Sequence, residues 1–87
     1  MSTADLIRQR LAALEPETFT LEDESAQHEG HAGAASGGGH FRLTVVSPRF
    51  RNLSTLARHR LVYATMVELM QREIHALSIT AVTPEEL

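Results

Sequence analysis

The chain has 87 residues, 43% of them hydrophobic, and no cysteine. That suits one small domain with a modest core, and it excludes a disulfide framework, a thiolate zinc finger, a cysteine nucleophile and a self-held four-cysteine iron–sulfur cluster. Eight basic residues, all arginine, face eleven acidic ones for a net charge of −3 with histidine neutral, which disfavours nucleic-acid binding by bulk charge. The apolar runs fall far short of the roughly 20 residues that span a bilayer. Met1-Ser2-Thr3-Ala4-Asp5 has no basic segment leading into an apolar one, so no membrane span or secretory signal is expected and the default setting is cytoplasmic.

The elements follow from periodicity. Ser2, Thr3 and Asp5 supply N-caps for a helix over about 3–14, with Leu6, Ile7, Leu11 and Leu14 on one apolar face. Glu15-Pro16-Glu17 ends it, because proline disfavours helix in the residue before it. Thr18 to Glu22 alternates polar and apolar as a half-buried strand does. His40 to Val46 alternates too, with Phe41, Leu43 and Val45 inward and His40, Arg42 and Thr44 outward. All five glycines fall within residues 30–39, so the connection at about 24–39 reads as a flexible Gly/His loop. Pro48 to Asn52 reads as a turn or one short helical turn, and Ser54 or Asn52 can cap the helix after it. A long helix over roughly 54–72 follows, with Leu56, His59, Val62, Tyr63, Met66, Leu69 and Met70 as its stripe. Ile74-His75-Ala76 reads as a tight link, Leu77 to Ala81 as a third strand, and Thr83-Pro84-Glu85-Glu86 as the start of a short helix. The order α-β-β-α-β(-α) predicts a single α+β domain over 1–87, a three-stranded sheet with helices packed on one face.

The chemistry-bearing residues are mainly the five histidines. His28 and His31 stand three apart in the loop, His40 opens the second strand, His59 lies between Arg58 and Arg60, and His75 precedes the third strand. Neutral imidazole is a common metal ligand, although His-x-x-His spacing alone is weak evidence. His59 lies on the apolar stripe, where a half-buried structural histidine is the more economical reading. His40 fits either a surface role or a site. Met66 and Met70 fill the core. The acids at 22–24 lack a pocket that would raise a pKa for acid–base work, and no nucleophile elbow or phosphate-cradling glycine loop is present. No enzyme is expected.

The stretches His40-Phe41-Arg42-Leu43-Thr44-Val45-Val46-Ser47, Arg58-His59-Arg60-Leu61-Val62-Tyr63, Ile74-His75-Ala76-Leu77-Ser78-Ile79 and Ala81-Val82-Thr83-Pro84-Glu85-Glu86 strongly resemble the BolA family. The loop from Glu24 to Gly33 is similar to that family's histidine-bearing hairpin loop. The resemblance covers the chain from about residue 4 to its end. It implies a fold like the type II KH domain. It also implies a partnership with a monothiol glutaredoxin, the two sharing a bridging [2Fe-2S] cluster in iron–sulfur trafficking or iron regulation. The alternative it carries is a DNA-binding transcriptional regulator of stress response, morphology or biofilm genes.

By the same resemblance the family's C-terminal histidine ligand matches His75, and its loop ligand matches His31, with His28 the alternative. Glutaredoxin and glutathione would supply thiolates to one iron and two imidazoles of this chain would hold the other, the Rieske pattern that raises the potential. Neutral imidazoles also make such binding sensitive to protons. The isolated chain is expected apo and monomeric, and heterodimeric with its partner. For the DNA alternative, Arg49, Arg51, Arg58 and Arg60 form a local cluster able to contact phosphate. One departure from the family is Asn52, where many relatives have glycine; asparagine is the next best residue for a left-handed backbone. The GxxG loop of RNA-binding KH domains is absent, so the fold alone does not carry RNA binding.

Overall fold

The structure is a computed structural model that describes residues 1–25 and 39–87. His28 and His31, and most of the segment read as a flexible loop, lie outside the described residues.

Helix α1, Thr3–Leu11, begins at a capping box: the Ser2 hydroxyl accepts the Asp5 N–H at 3.1 Å, and the Asp5 carboxylate accepts the Ser2 N–H at 3.4 Å. A 3₁₀ turn, Ala12–Leu14, continues it. The chain leaves at Glu15, whose φ of 48° is left-handed, just ahead of Pro16. Ile7, Leu11 and Leu14 are buried.

Strand β1, Thr18–Asp23, pairs antiparallel with β2, Gly39–Val46, from Thr18 opposite Val46 to Asp23 opposite Phe41. Strand β3, Ile74–Val82, lies parallel to β2 on its other side, so β2 is central. A parallel pair needs a crossover. Here the crossover holds helices α2, Thr55–Thr65, and α3, Val67–Met70. Phe41, Leu43 and Val45 point into the core with Ile7, Leu11, Leu14, Phe50, Val62, Met66 and Leu69. Arg42, Ser78 and Thr80 are exposed on the opposite face of the sheet. This is the expected α+β architecture with helices on one face.

The turn after β2 is tied back to α1. Buried Ser47 donates its hydroxyl to the Leu14 carbonyl at 2.5 Å and accepts the Arg49 N–H at 3.1 Å, which starts a 3₁₀ turn over Pro48–Phe50. Asn52 has φ 64°, so it does take the left-handed conformation expected of it. Ser54 then caps α2 by accepting the Ala57 N–H at 3.1 Å.

Four sequence expectations need correction. The single helix over 54–72 is two, broken at Met66, where φ −123° and ψ 15° leave the helical region. The apolar stripe mixed two faces, since neighbouring residues on a helix lie about 100° apart. Val62, Met66 and Leu69 are buried, whereas Leu56 is 60% exposed and Tyr63 38%. Tyr63 turns outward and donates its hydroxyl to the Leu77 carbonyl at 3.2 Å. Ile74-His75-Ala76 is not a link but the opening of β3. The C-terminal element is a single 3₁₀ turn, Pro84–Glu86.

Gly39 is required by packing. A Cβ placed there would meet Phe41 Cε2 at 2.4 Å, and Phe41 is only 4% exposed, so its ring has little room to yield. Gly39→Ala is therefore expected to destabilise the fold by about 1–3 kcal/mol through overpacking. Urea denaturation of the two proteins measures it, and an unchanged midpoint would contradict this account.

Candidate metal centre

Ile74 and Leu77 are both buried, although they are three residues apart. A regular strand places residues two apart on one face, so one extra residue must be accommodated between them. The register shows where: Gly39 pairs with Ile74 and His40 with Ala76, leaving His75 as the extra residue at a bulge. Both His75 and Ala76 are consequently exposed. The bulge also brings His75 beside His40 on the outward face, with ring centroids 5.0 Å apart and planes tilted by 44°.

The ends of the hairpin hold His40 in place. Its N–H donates to Ser25 Oγ at 3.0 Å, and its carbonyl accepts the Glu24 N–H at 2.7 Å. Ser25 is fixed in turn by its own N–H, which donates to Asp23 Oδ1 at 2.9 Å; hydrogen bonds from Ser25 hold the Asp23 carboxyl below the usual carboxylate range. The Gly39 N–H donates to the Glu73 carbonyl at 2.9 Å. Glu24, His40, Phe41, Ala76, Leu77 and Ser78 line an open groove of about 240 Å³ alongside the pair. Glu24 is engaged by Arg42 at 3.3 Å.

His75 thus lies where a ligand must lie to meet a partner, on the surface. His40, which the sequence left between a surface role and a site, is its neighbour. The signal for this was present in the odd spacing of Ile74 and Leu77. His59 is half-buried on α2, as its place on the apolar stripe suggested. Among the described residues no group of three or more His, Cys, Asp or Glu side chains could hold a metal ion. The donor set described is therefore two imidazoles without a thiolate. That fits one half of a shared coordination shell and not a closed one.

A sequence model of the family described as BolA-like protein matches residues 11–86. This chain belongs to the BolA-like family. BolA-like protein 1 of Homo sapiens is 47% identical over 74 residues, which cover 85% of this chain and 52% of the human protein, so the chain spans about half the length of that relative. The DNA-binding transcriptional regulator BolA of Vibrio cholerae is 40% identical over 83 residues, covering 94% of this chain and 76% of that one. The solved BolA domain of SufE1 from Arabidopsis thaliana superposes with a TM-score of 0.86 at 38% identity, over 100% of this chain and 99% of that domain. No helix among the described residues is long and apolar enough to cross a membrane.

The arginines weighed for DNA contact in this BolA-like chain are mostly engaged within it. Arg49 donates to Glu15, its Nε at 2.9 Å. Arg51 pairs with Glu85 through Nε at 2.7 Å and Nη2 at 2.5 Å. Arg58 forks onto Glu86 at 2.6 and 3.1 Å and also donates to the Leu53 and Ala81 carbonyls at 3.0 and 3.1 Å. Its side chain is only 14% exposed. Arg60 is exposed and makes no ion pair among the described residues.

The Arg58 guanidinium, aided by the Thr83 N–H, holds the Glu86 carboxyl down to about 2. Depression of a folded-state pKa gives stability that is present above the unfolded value of 4.5 and lost as pH falls through about 2. Urea midpoints measured across that window should fall less steeply for Glu86→Gln than for the wild type. Equal slopes would mean that the pair does not link folding to protons.

Proposed function

We propose that this BolA-like chain is a non-enzymatic adaptor that partners a monothiol glutaredoxin in the cytoplasm and shares a bridging [2Fe-2S] cluster with it, in iron–sulfur trafficking or iron regulation. The observation that carries this reading is the exposed imidazole of His75, set beside His40 where the two ends of the hairpin, Ser25 and Gly39, come together. His75 would be one ligand. His31, or His28 in its stead, would be the second. An extended chain spans at most about 3.3–3.6 Å per residue, so six residues from Ser25 give His31 the reach to meet His75. Glutathione and the partner's thiolate would complete the shell.

The cluster, when bound, would supply one-electron redox chemistry. This chain's part is to offer neutral nitrogen donors from a surface that another protein can cover. Histidines in place of thiolates raise the potential, and donor nitrogens that take up protons cannot bind metal. The chain would thus hold its half of the shell more weakly as protons compete for those nitrogens.

A second reading, sequence-specific DNA binding, is favoured by the name of the Vibrio cholerae relative, a DNA-binding transcriptional regulator. The internal pairing of Arg49, Arg51 and Arg58 supports it poorly, and Arg60 is the cluster's one cation left without an ion pair among the described residues. Binding to duplex DNA that disappears between low and physiological salt, without sequence preference, would reduce it to charge attraction.

The adaptor reading is tested by mixing the chain with a cluster-loaded monothiol glutaredoxin and glutathione, then following visible absorption and circular dichroism. A spectrum different from the sum of the components is expected. His75→Ala should abolish that difference, while His59→Ala should mainly lower thermal stability. A plain sum for the wild-type chain would overturn the reading.

A further inference from the structure

We propose that Arg49 and Arg51 form a binding site for the phosphodiester backbone of duplex DNA, which Glu15 and Glu85 of the same chain occupy as carboxylate stand-ins until the polyanion displaces them. The proposal rests on the second reading above and adds to it a site and a clasp.

The two carboxylates show what the arginines are placed to take. Arg51 lays Nε and Nη2 on the two oxygens of Glu85 at 2.7 and 2.5 Å, the paired fork with which a guanidinium also grips phosphate. Arg49 donates Nε and Nη2 to a single oxygen of Glu15, Nε at 2.9 Å. A phosphate oxygen can replace that acceptor too. Both arginines belong to one corner, the 3₁₀ turn Pro48–Phe50 and the C-cap that follows it. Buried Ser47 and Phe50 hold this corner to the core.

The clasp can open without unfolding. All four side chains of the two pairs are more than half exposed, and exposed pairs hold weakly. Arg58 differs. It is largely buried and bonded to two backbone carbonyls as well as to Glu86, so it stays in place and anchors the turn that carries Glu85. With both pairs closed, two cations are cancelled on a chain whose net charge is already −3, which keeps bulk attraction for nucleic acid low. A DNA backbone competes because each phosphate that an arginine neutralises releases condensed counterions. A glutamate left behind takes up a cation in exchange, which offsets that release. The salt dependence of binding therefore reads the clasp directly.

The test follows the full chain binding a labelled, mixed-sequence duplex DNA by fluorescence anisotropy over a range of salt. Glu15→Gln together with Glu85→Gln should raise the affinity at low salt by at least about tenfold and steepen the slope of log K against log salt by about 0.9 for each arginine set free. Either change alone should steepen it by about half as much as the pair. Adding Arg49→Gln and Arg51→Gln should remove the gain. Glu22→Gln is the control for either single change. It loses the same charge from the far end of β1, where Glu22 is exposed and in no ion pair among the described residues, and it should leave the affinity within about twofold. An unchanged slope in the double variant, a gain that Glu22→Gln equals, or a gain that survives the loss of both arginines would each overturn the proposal. Sequence-selective binding by the wild-type chain that the glutamine variants leave unaltered would overturn it and leave the second reading standing. No binding by any form would overturn both.

Discussion

Two buried side chains, Ile74 and Leu77, sit three residues apart on a strand whose faces alternate every residue. Burying both removes two large apolar side chains from water, worth about 1.5–3 kcal/mol each, and it can be done only by letting one residue bulge out of the ladder. That residue is His75. The polar ring is carried outward by the apolar demands of its neighbours. It arrives beside His40 because β2 runs parallel to β3 with Gly39 opposite Ile74. Gly39, in turn, leaves space for Phe41, which no residue with a Cβ would do. The candidate site is thus held by the core beneath it.

The opposite end of the molecule is built differently. Glu15, Glu85 and Glu86 each accept an arginine, so the turn after β2, the start of α2 and the last 3₁₀ turn are bound together by charge. Exposed ion pairs of this kind contribute little to stability individually. The Arg58–Glu86 pair differs because Arg58 is largely buried and also donates to two backbone carbonyls. Its role is to seal the free edge of β3 at Ala81, while Tyr63 does the same at Leu77. Two side chains thereby occupy carbonyls that an unprotected edge strand would offer to another chain. Three of the four arginines weighed for nucleic-acid contact are thus paired with acidic side chains of the same chain.

Tyr63 and Leu56 show where periodicity misled. Both lie within a 3.6-residue apolar pattern, yet both are exposed, because the helix face that meets the sheet is centred on Val62, Met66 and Leu69. A helix carrying apolar residues on two adjacent faces does not declare which one will be buried. The break at Met66 was equally hidden, since no proline or glycine marks it. By contrast, Ser2 and Ser54 acted as the caps their positions allowed, and Asn52 took the left-handed turn. Each cap is a hydrogen bond to a residue three away, and the turn is a backbone preference of asparagine itself.

The order of elements, the inward faces of β1 and β2, the caps and the membership of His75 in a motif are determined by the sequence alone, because each rests on alternation, local hydrogen bonding or residue identity. Only the tertiary structure decided that His40 meets His75, that Arg49, Arg51 and Arg58 already have acidic partners, and that Tyr63 faces outward. Those facts join residues from 14 to 35 positions apart. Such contacts depend on strand register and helix rotation, which are fixed by packing the whole core at once and leave no periodic trace along the chain.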